Sequence, residues 1–186
     1  MNPKIIQVLK KLEEISSNNN PHWNVPPETG ALLNTLAKYA NAQLILEIGT
    51  SNGYSGIWFA EAMQQTGGKL VTVESNKERF LQAQQNFAEA ELSEYIEQIQ
   101  GHAPEAVTDY NGVFDLMFFD ATKNEHLSYF ETLEPKLKKN GLIITDNTSS
   151  HADSLNEYIE KMYSNTNFQN TRLEIGTGLL ISLKLS

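Results

Sequence analysis

The stretch Leu44-Ile-Leu-Glu-Ile-Gly-Thr-Ser-Asn-Gly-Tyr-Ser55 decides the fold. An apolar run carries one acid, Glu47, near its end, and Gly49 and Gly53 follow. Apolar residues from Ile57 to Met63 then return at helical spacing. A buried strand, a tight glycine turn and a helix start account for this pattern. Glycines in such a turn let backbone N–H groups approach a small ligand closely. The next apolar run, Lys69-Leu-Val-Thr-Val-Glu74, also closes on an acid. Glu74 lies about 20 residues beyond Gly53, where a nucleotide-binding βαβ unit places the carboxylate that grips ribose hydroxyls.

Outward from this stretch, apolar runs and helical patterns alternate. Strands are expected near 44–48, 69–74, 95–100, 114–120, 141–146, 167–174 and 178–184, and helices near 54–65, 77–91, 124–138 and 152–164. Alternation of this kind builds a parallel sheet with helices on both faces. Only Ile175-Gly-Thr-Gly178 separates the last two runs, which therefore form an antiparallel hairpin. Two amphipathic segments precede the sheet. One carries Ile5, Ile6, Val8, Leu9, Leu12 and Ile15, and the other runs from Thr29 to Tyr39. The polar breaker Ser16-Ser-Asn-Asn-Asn-Pro21 stands between them. The organisation is one domain over 1–186, with 1–40 as a helical cover and 41–186 as the α/β core.

The composition narrows the function. A net charge of −9 and a pI near 4.9 disfavour a broad grip on nucleic acid, though a local basic patch for RNA is not excluded. There is no cysteine, hence no disulfide, thiolate nucleophile or cysteine metal site. The N-terminus is too polar for a signal peptide, and no run approaches the roughly 18 apolar residues of a membrane span. A cytoplasmic location is expected.

In open α/β sheets ligands sit beyond the carboxyl ends of the strands. Val113-Phe-Asp-Leu-Met-Phe-Phe-Asp120 ends on an acid, and Leu142-Ile-Ile-Thr-Asp-Asn147 ends on an acid and an amide. If the two strands are neighbours, Asp120, Asp146 and Asn147 converge. Two carboxylates and an amide oxygen make a hard site suited to Mg²⁺, Mn²⁺ or Ca²⁺. A helix cap at Asp120 and a turn at Asp146-Asn147 explain the same residues without a metal.

The spacing Glu-x-Gly-x-x-x-Gly-x-Ser, from Glu47 to Ser55, resembles motif I of the class I S-adenosylmethionine (SAM) methyltransferases. A nicotinamide or flavodoxin-like domain fits it poorly, since its glycines are farther apart than pyrophosphate binding needs. The resemblance implies a Rossmann-like seven-stranded sheet of order 3-2-1-4-5-7-6 with its last strand antiparallel. Asp120-Ala-Thr-Lys123 and Thr145-Asp146-Asn147 are similar to the cation-dependent catechol and caffeoyl-coenzyme A O-methyltransferases, over roughly residues 25–184. Pro27-Glu28-Thr29-Gly30 looks like the family segment that folds over SAM, Gly101-His-Ala103 like its adenine-side loop, and Gly176-Thr-Gly178 like part of its final hairpin.

This resemblance implies SAM as cofactor, a divalent cation (Mg²⁺) held by Asp120, Asp146 and Asn147, and Lys123 as base. Glu74 would take the ribose, and Gly49, Gly53 and Ser55 the methionine end. Glu47 would orient the loop or the SAM amine, His102 and Ala103 would flank the adenine, and Asp120 would border cofactor and cation together. The acceptor would be a small, catechol-like hydroxyl compound. A hydroxylated tRNA base, a metal-independent small-molecule transfer and a SAM-binding module without chemistry are the competing readings. A homodimer is implied, with the Ile5, Leu9 and Leu12 face joining two copies or merely covering the sheet.

The chain departs from the better-known members after Asn147, where Thr148-Ser-Ser-His151 leads directly into a helix. The shortened loop implies a more open acceptor site, and His151 lies close enough in sequence to act on it. His126 is expected at the surface. Trp23, Tyr54, Trp58 and Phe59 are candidates for an aromatic pocket, with Trp58 and Phe59 read as core.

Overall fold

A computed structural model of the chain describes residues 1–17 and 24–186; Trp23 and most of the polar breaker fall outside them. The strands are β1 (Leu44–Ile48), β2 (Lys69–Glu74), β3 (Ile96–Gln100), β4 (Phe114–Phe119), β5 (Leu137–Thr145), β6 (Phe168–Leu173) and β7 (Leu179–Lys184). The helices are α1 (Pro3–Ser17), α2 (Pro27–Tyr39), α3 (Tyr54–Thr66), α4 (Lys77–Glu89), α5 (Glu105–Thr108), α6 (His126–Leu133) and α7 (Asn156–Ser164). The sheet order is β3-β2-β1-β4-β5-β7-β6, as expected, and β7 runs opposite to the other six strands.

Side chains of a strand alternate between faces, and both faces here are apolar. Ile45, Leu116, Phe118 and Ile144 point into one buried cluster with α1 to α4. Leu46, Ile48, Met117, Phe119 and Ile143 point into a second with α5 to α7. The apolar face of α1, Ile5, Val8, Leu9 and Leu12, is buried within the chain and serves as cover.

Several boundaries differ from the sequence reading. The helix expected over 124–138 is α6 flanked by 3-10 turns at Lys123–Glu125 and Glu134–Lys136. Pro135 lacks an N–H and restricts Glu134, so the α-helix stops before it. The helix expected over 152–164 begins with a 3-10 turn, Asp153–Leu155. β5 starts at Leu137 rather than 141, because Lys138 reaches Asp115 on β4 at 2.6 Å and holds the charged run beside the sheet. The short α5 carries too few residues to show a period.

Candidate active site

The ladder of the sheet runs one residue past each strand end and sets the site. Gly49 N and Thr50 N donate to Val73 O at 3.1 and 3.2 Å, Asp120 N to Ile48 O at 3.0 Å, and Asp146 N to Phe119 O at 3.2 Å. Gly49, Asp120 and Asp146 are thereby set side by side at the carboxyl edge. Gly49 has φ +104°, and a Cβ there would lie 2.4 Å from Asp120 O. Only glycine permits that approach.

A cavity of about 780 Å³ opens over this edge. Gly49, Ser55, Glu74, His102, Ala103, Asp120, Lys123, Asp146, Asn147 and His151 all line it. Glu74 shapes the glycine loop, accepting from Ser51 N and Asn76 N at 2.8 Å each. His102 Nε2 lies 3.2 Å from Glu125. Tyr54, the one member of the expected aromatic pocket that lines the cavity among the described residues, donates from its hydroxyl to Glu13 at 2.6 Å.

Two of the motif residues sit behind the wall. Gly53, with φ +89°, packs on the Phe87 ring, where a Cβ would meet it at 2.7 Å. Glu47 shares the parity of Ile45 and turns toward α3. It accepts from Ser55 Oγ and Thr72 Oγ1 at 2.6 Å each, and Thr50 in turn lies 2.6 Å from Thr72. Burial pushes its carboxyl up to about 7, against those two hydroxyls.

Two expectations are corrected. Pro27–Gly30 does not line the cavity: it opens α2, with Gly30 pressed against Trp58 and Thr29 beneath Gly176. The wall there is Asn24 and Val25. Phe59 lies in the core against Phe118, 5.6 Å between ring centres, and Trp58 packs partly buried beside it, as read. His126 is 0% exposed, not at the surface. Its Nδ1 lies 3.1 Å from Thr122 O and its Nε2 3.3 Å from Phe119 O, with Phe119, Tyr129 and Tyr158 around the ring. Burial, then the charge of Lys123, lowers its pKa to about 4.

The charged group at the centre is compact. Lys123 Nζ donates to Asp120 Oδ1 at 2.8 Å. Burial raises Asp120 to about 6, against the pull of Lys123 and with a further push from Asp146. Burial raises Asp146 as well, opposed chiefly by the Thr177 hydroxyl, which donates to Oδ1 at 2.7 Å. Asn147 holds φ +63°, and its amide nitrogen donates to Ser150 Oγ at 3.3 Å, which leaves its oxygen for another partner. Among the described residues no three His, Asp or Glu side chains gather as a metal cluster. A partly buried carboxylate, Asp120, beside a buried one, Asp146, whose charge disfavours that of Asp120, plus an amide oxygen, does fit a hard divalent ion.

The sequence model of the O-methyltransferase family matches residues 3–175. The chain belongs to that family. A catechol O-methyltransferase of Niastella koreensis is 34% identical over 141 residues, which cover 74% of this chain and 63% of that protein. Caffeoyl-CoA O-methyltransferase 2 of Petunia hybrida is 32% identical over 155 residues, covering 78% and 63%. The chain thus spans under two thirds of the length of both relatives. The crystal structure of an O-methyltransferase from Bacillus cereus in complex with SAH superposes with a TM-score of 0.85 at 25% identity, over 99% of this chain and 91% of that one.

Some wall residues of this O-methyltransferase fold escaped the sequence reading. Ser16, Asn24, Val25, Arg79, Tyr129, Ser150 and Thr177 line the cavity. Ser16, Asn24 and Val25 reach it from outside the sheet and carry no motif. Thr177 stood in a recognised stretch, Gly176-Thr-Gly178, without a role.

Proposed function

We propose that the chain transfers the methyl group of SAM to a hydroxyl of a small acceptor, with a divalent cation at Asp120, Asp146 and Asn147. The observation that carries this reading is one cavity shared by the glycine loop, Glu74 and the Asp120–Lys123–Asp146–Asn147 group. The family match, a relative named for catechol and a structural neighbour in complex with SAH support it.

Glu74 lies where it can accept from ribose hydroxyls while it braces the loop. Gly49 and Ser55 border the methionine end, and His102 and Ala103 the adenine. Glu47 and Gly53 act from behind, Glu47 by orienting Ser55. A cation bound at the two carboxylates would favour the ionised form of the acceptor oxygen. Lys123, from its place beside Asp120, is the base that takes the acceptor proton. The acceptor oxygen then forms its bond to the methyl carbon as the carbon–sulfur bond breaks, which leaves SAH. Among the described residues the cavity wall holds one arginine, Arg79, and one lysine, Lys123, and Lys123 is paired with Asp120. That lining suits a small molecule better than tRNA. A homodimer would use surfaces other than the buried face of α1, and sedimentation measures it.

Calorimetric titration with SAM, then methyl transfer to a catechol panel with and without EDTA, tests the reading. SAM binding and EDTA-sensitive transfer are expected. EDTA-insensitive transfer overturns the cation, and absence of SAM binding overturns the whole reading.

A further inference from the structure

The turn between β6 and β7, Ile175–Gly178, is pressed onto the loop that follows β5. Thr148 N donates to Gly178 O at 3.0 Å, and Ser149 N and Ser150 N donate to Thr177 O at 3.0 and 3.1 Å. Gly178 has φ +88°, and a Cβ there would sit 2.1 Å from Ser149 Oγ, so the two segments meet with no space between them. Arg172 on β6 donates to Ser149 Oγ at 3.0 Å, and that hydroxyl donates to Glu174 at 2.6 Å. Thr177 is the one residue of this hairpin that lines the cavity among the described residues. Its side chain donates to Asp146 Oδ1 at 2.7 Å while its carbonyl holds the loop carrying Asn147.

We propose that Thr177 is a positioning residue for the cation site, fixing the Asp146 carboxylate with its hydroxyl and the Asn147 loop with its carbonyl. The inference rests on the reading that Asp120, Asp146 and Asn147 hold a divalent ion. Thr177 donates to Oδ1 and the Asn147 N–H also bonds the carboxylate, so together they fix the orientation in which Asp146 meets a cation. Asp146 is 2% exposed, and water cannot replace the lost donor freely. Partners that orient a ligand in this way are worth about 10- to 100-fold in metal affinity.

Two substitutions separate this role from packing of the turn. Thr177→Val keeps the shape and the backbone carbonyl and removes only the hydroxyl. Thr177→Ser keeps the hydroxyl. Mn²⁺ is titrated into each full-length protein and the free-ion signal read by electron paramagnetic resonance. SAM affinity is read by calorimetry, and thermal unfolding in EDTA reports the fold. Thr177→Val is expected to weaken Mn²⁺ binding about 10-fold, with SAM affinity and the unfolding midpoint near wild type and with Thr177→Ser restoring the ion. Equal Mn²⁺ affinity in Thr177→Val and wild type overturns the inference, as does an equal loss in Thr177→Ser. A wild-type protein that binds SAM but no Mn²⁺ overturns instead the cation reading beneath it.

Discussion

Glu47 and His126 are both fully buried, and burial drives their titrations in opposite directions. The Glu47 carboxyl titrates at about 7 in the fold against an ordinary 4.5, chiefly because burial disfavours its charge. The native state therefore holds more protons than the unfolded chain between those values. The contribution of Glu47 to stability is present below pH 4.5 and is lost as pH rises through 7, by about 3 kcal/mol. In Glu47→Gln the amide oxygen still accepts from one hydroxyl, and the loss disappears. Denaturation midpoints from pH 4.5 to 8 should show the variant gaining on wild type as pH rises; parallel profiles would refute the assignment. His126 titrates at about 4 against 6.5, so the unfolded chain takes up the proton first as pH falls. Its contribution is present above pH 6.5 and is lost by about 3 kcal/mol on the way down to 4. His126→Phe carries a constant cost for the one hydrogen bond that a neutral imidazole can donate, to Thr122 O or Phe119 O, both of which keep a backbone partner, yet its profile should be flatter than wild type over that range. A variant profile as steep as wild type would mean that other groups carry the acid sensitivity.

At the scale of elements, two glycines at positive φ make a controlled comparison. Gly67 caps α3 with φ +75°, and a Cβ there meets nothing within 4 Å. Gly49 opens the turn after β1 at φ +104°, and a Cβ there would strike the backbone of Asp120. Gly67→Ala should cost about 1 kcal/mol, the left-handed strain alone. Gly49→Ala should cost about 2 kcal/mol more, and SAM binding should be lost, since the β4 end must move away. Urea midpoints and calorimetry check both, and equal costs would show that the close approach of β1 and β4 does not matter. The β1 turn and the strand-end acids were legible in the sequence because each is a local pattern: an apolar run, then a residue that ends it. The early start of β5 was not, because Lys138 and Lys139 look like a loop until Asp115 is seen opposite Lys138. Nor was the burial of His126, because Tyr158 comes to it from α7, 32 positions away in a chain that gives no local sign of it.

For the molecule as a whole, the sheet order followed from alternation plus the family resemblance, but the wall of the cavity that comes from outside the sheet did not. That wall ties ligand binding to α1. Four apolar residues of α1 are buried on the chain, while its ion pairs, Lys4 with Glu91 and Lys11 with Glu89, are exposed and contribute little. The Tyr54 hydroxyl bonded to Glu13 joins α1 to the first turn of α3, where Tyr54 also lines the cavity. Ser16 on α1 and Val25 beyond it complete that side. A ligand seated there touches both ends of the tie, so local opening of α1 must release the ligand or lose its contacts. If opening abolishes binding, SAH at 100 times its Kd raises the opening free energy by about 2.7 kcal/mol, about 100-fold in exchange. Hydrogen exchange over residues 3–17 should therefore slow by that order in saturating SAH. Tyr54→Phe should speed exchange of the ligand-free helix about fivefold through the lost hydrogen bond. Central β1 and β4 amides, which open only with the whole molecule, should not respond to Tyr54→Phe beyond the change in global stability. Exchange in α1 that is the same with and without SAH would show that the helix covers the sheet alone and has no part in holding the cofactor.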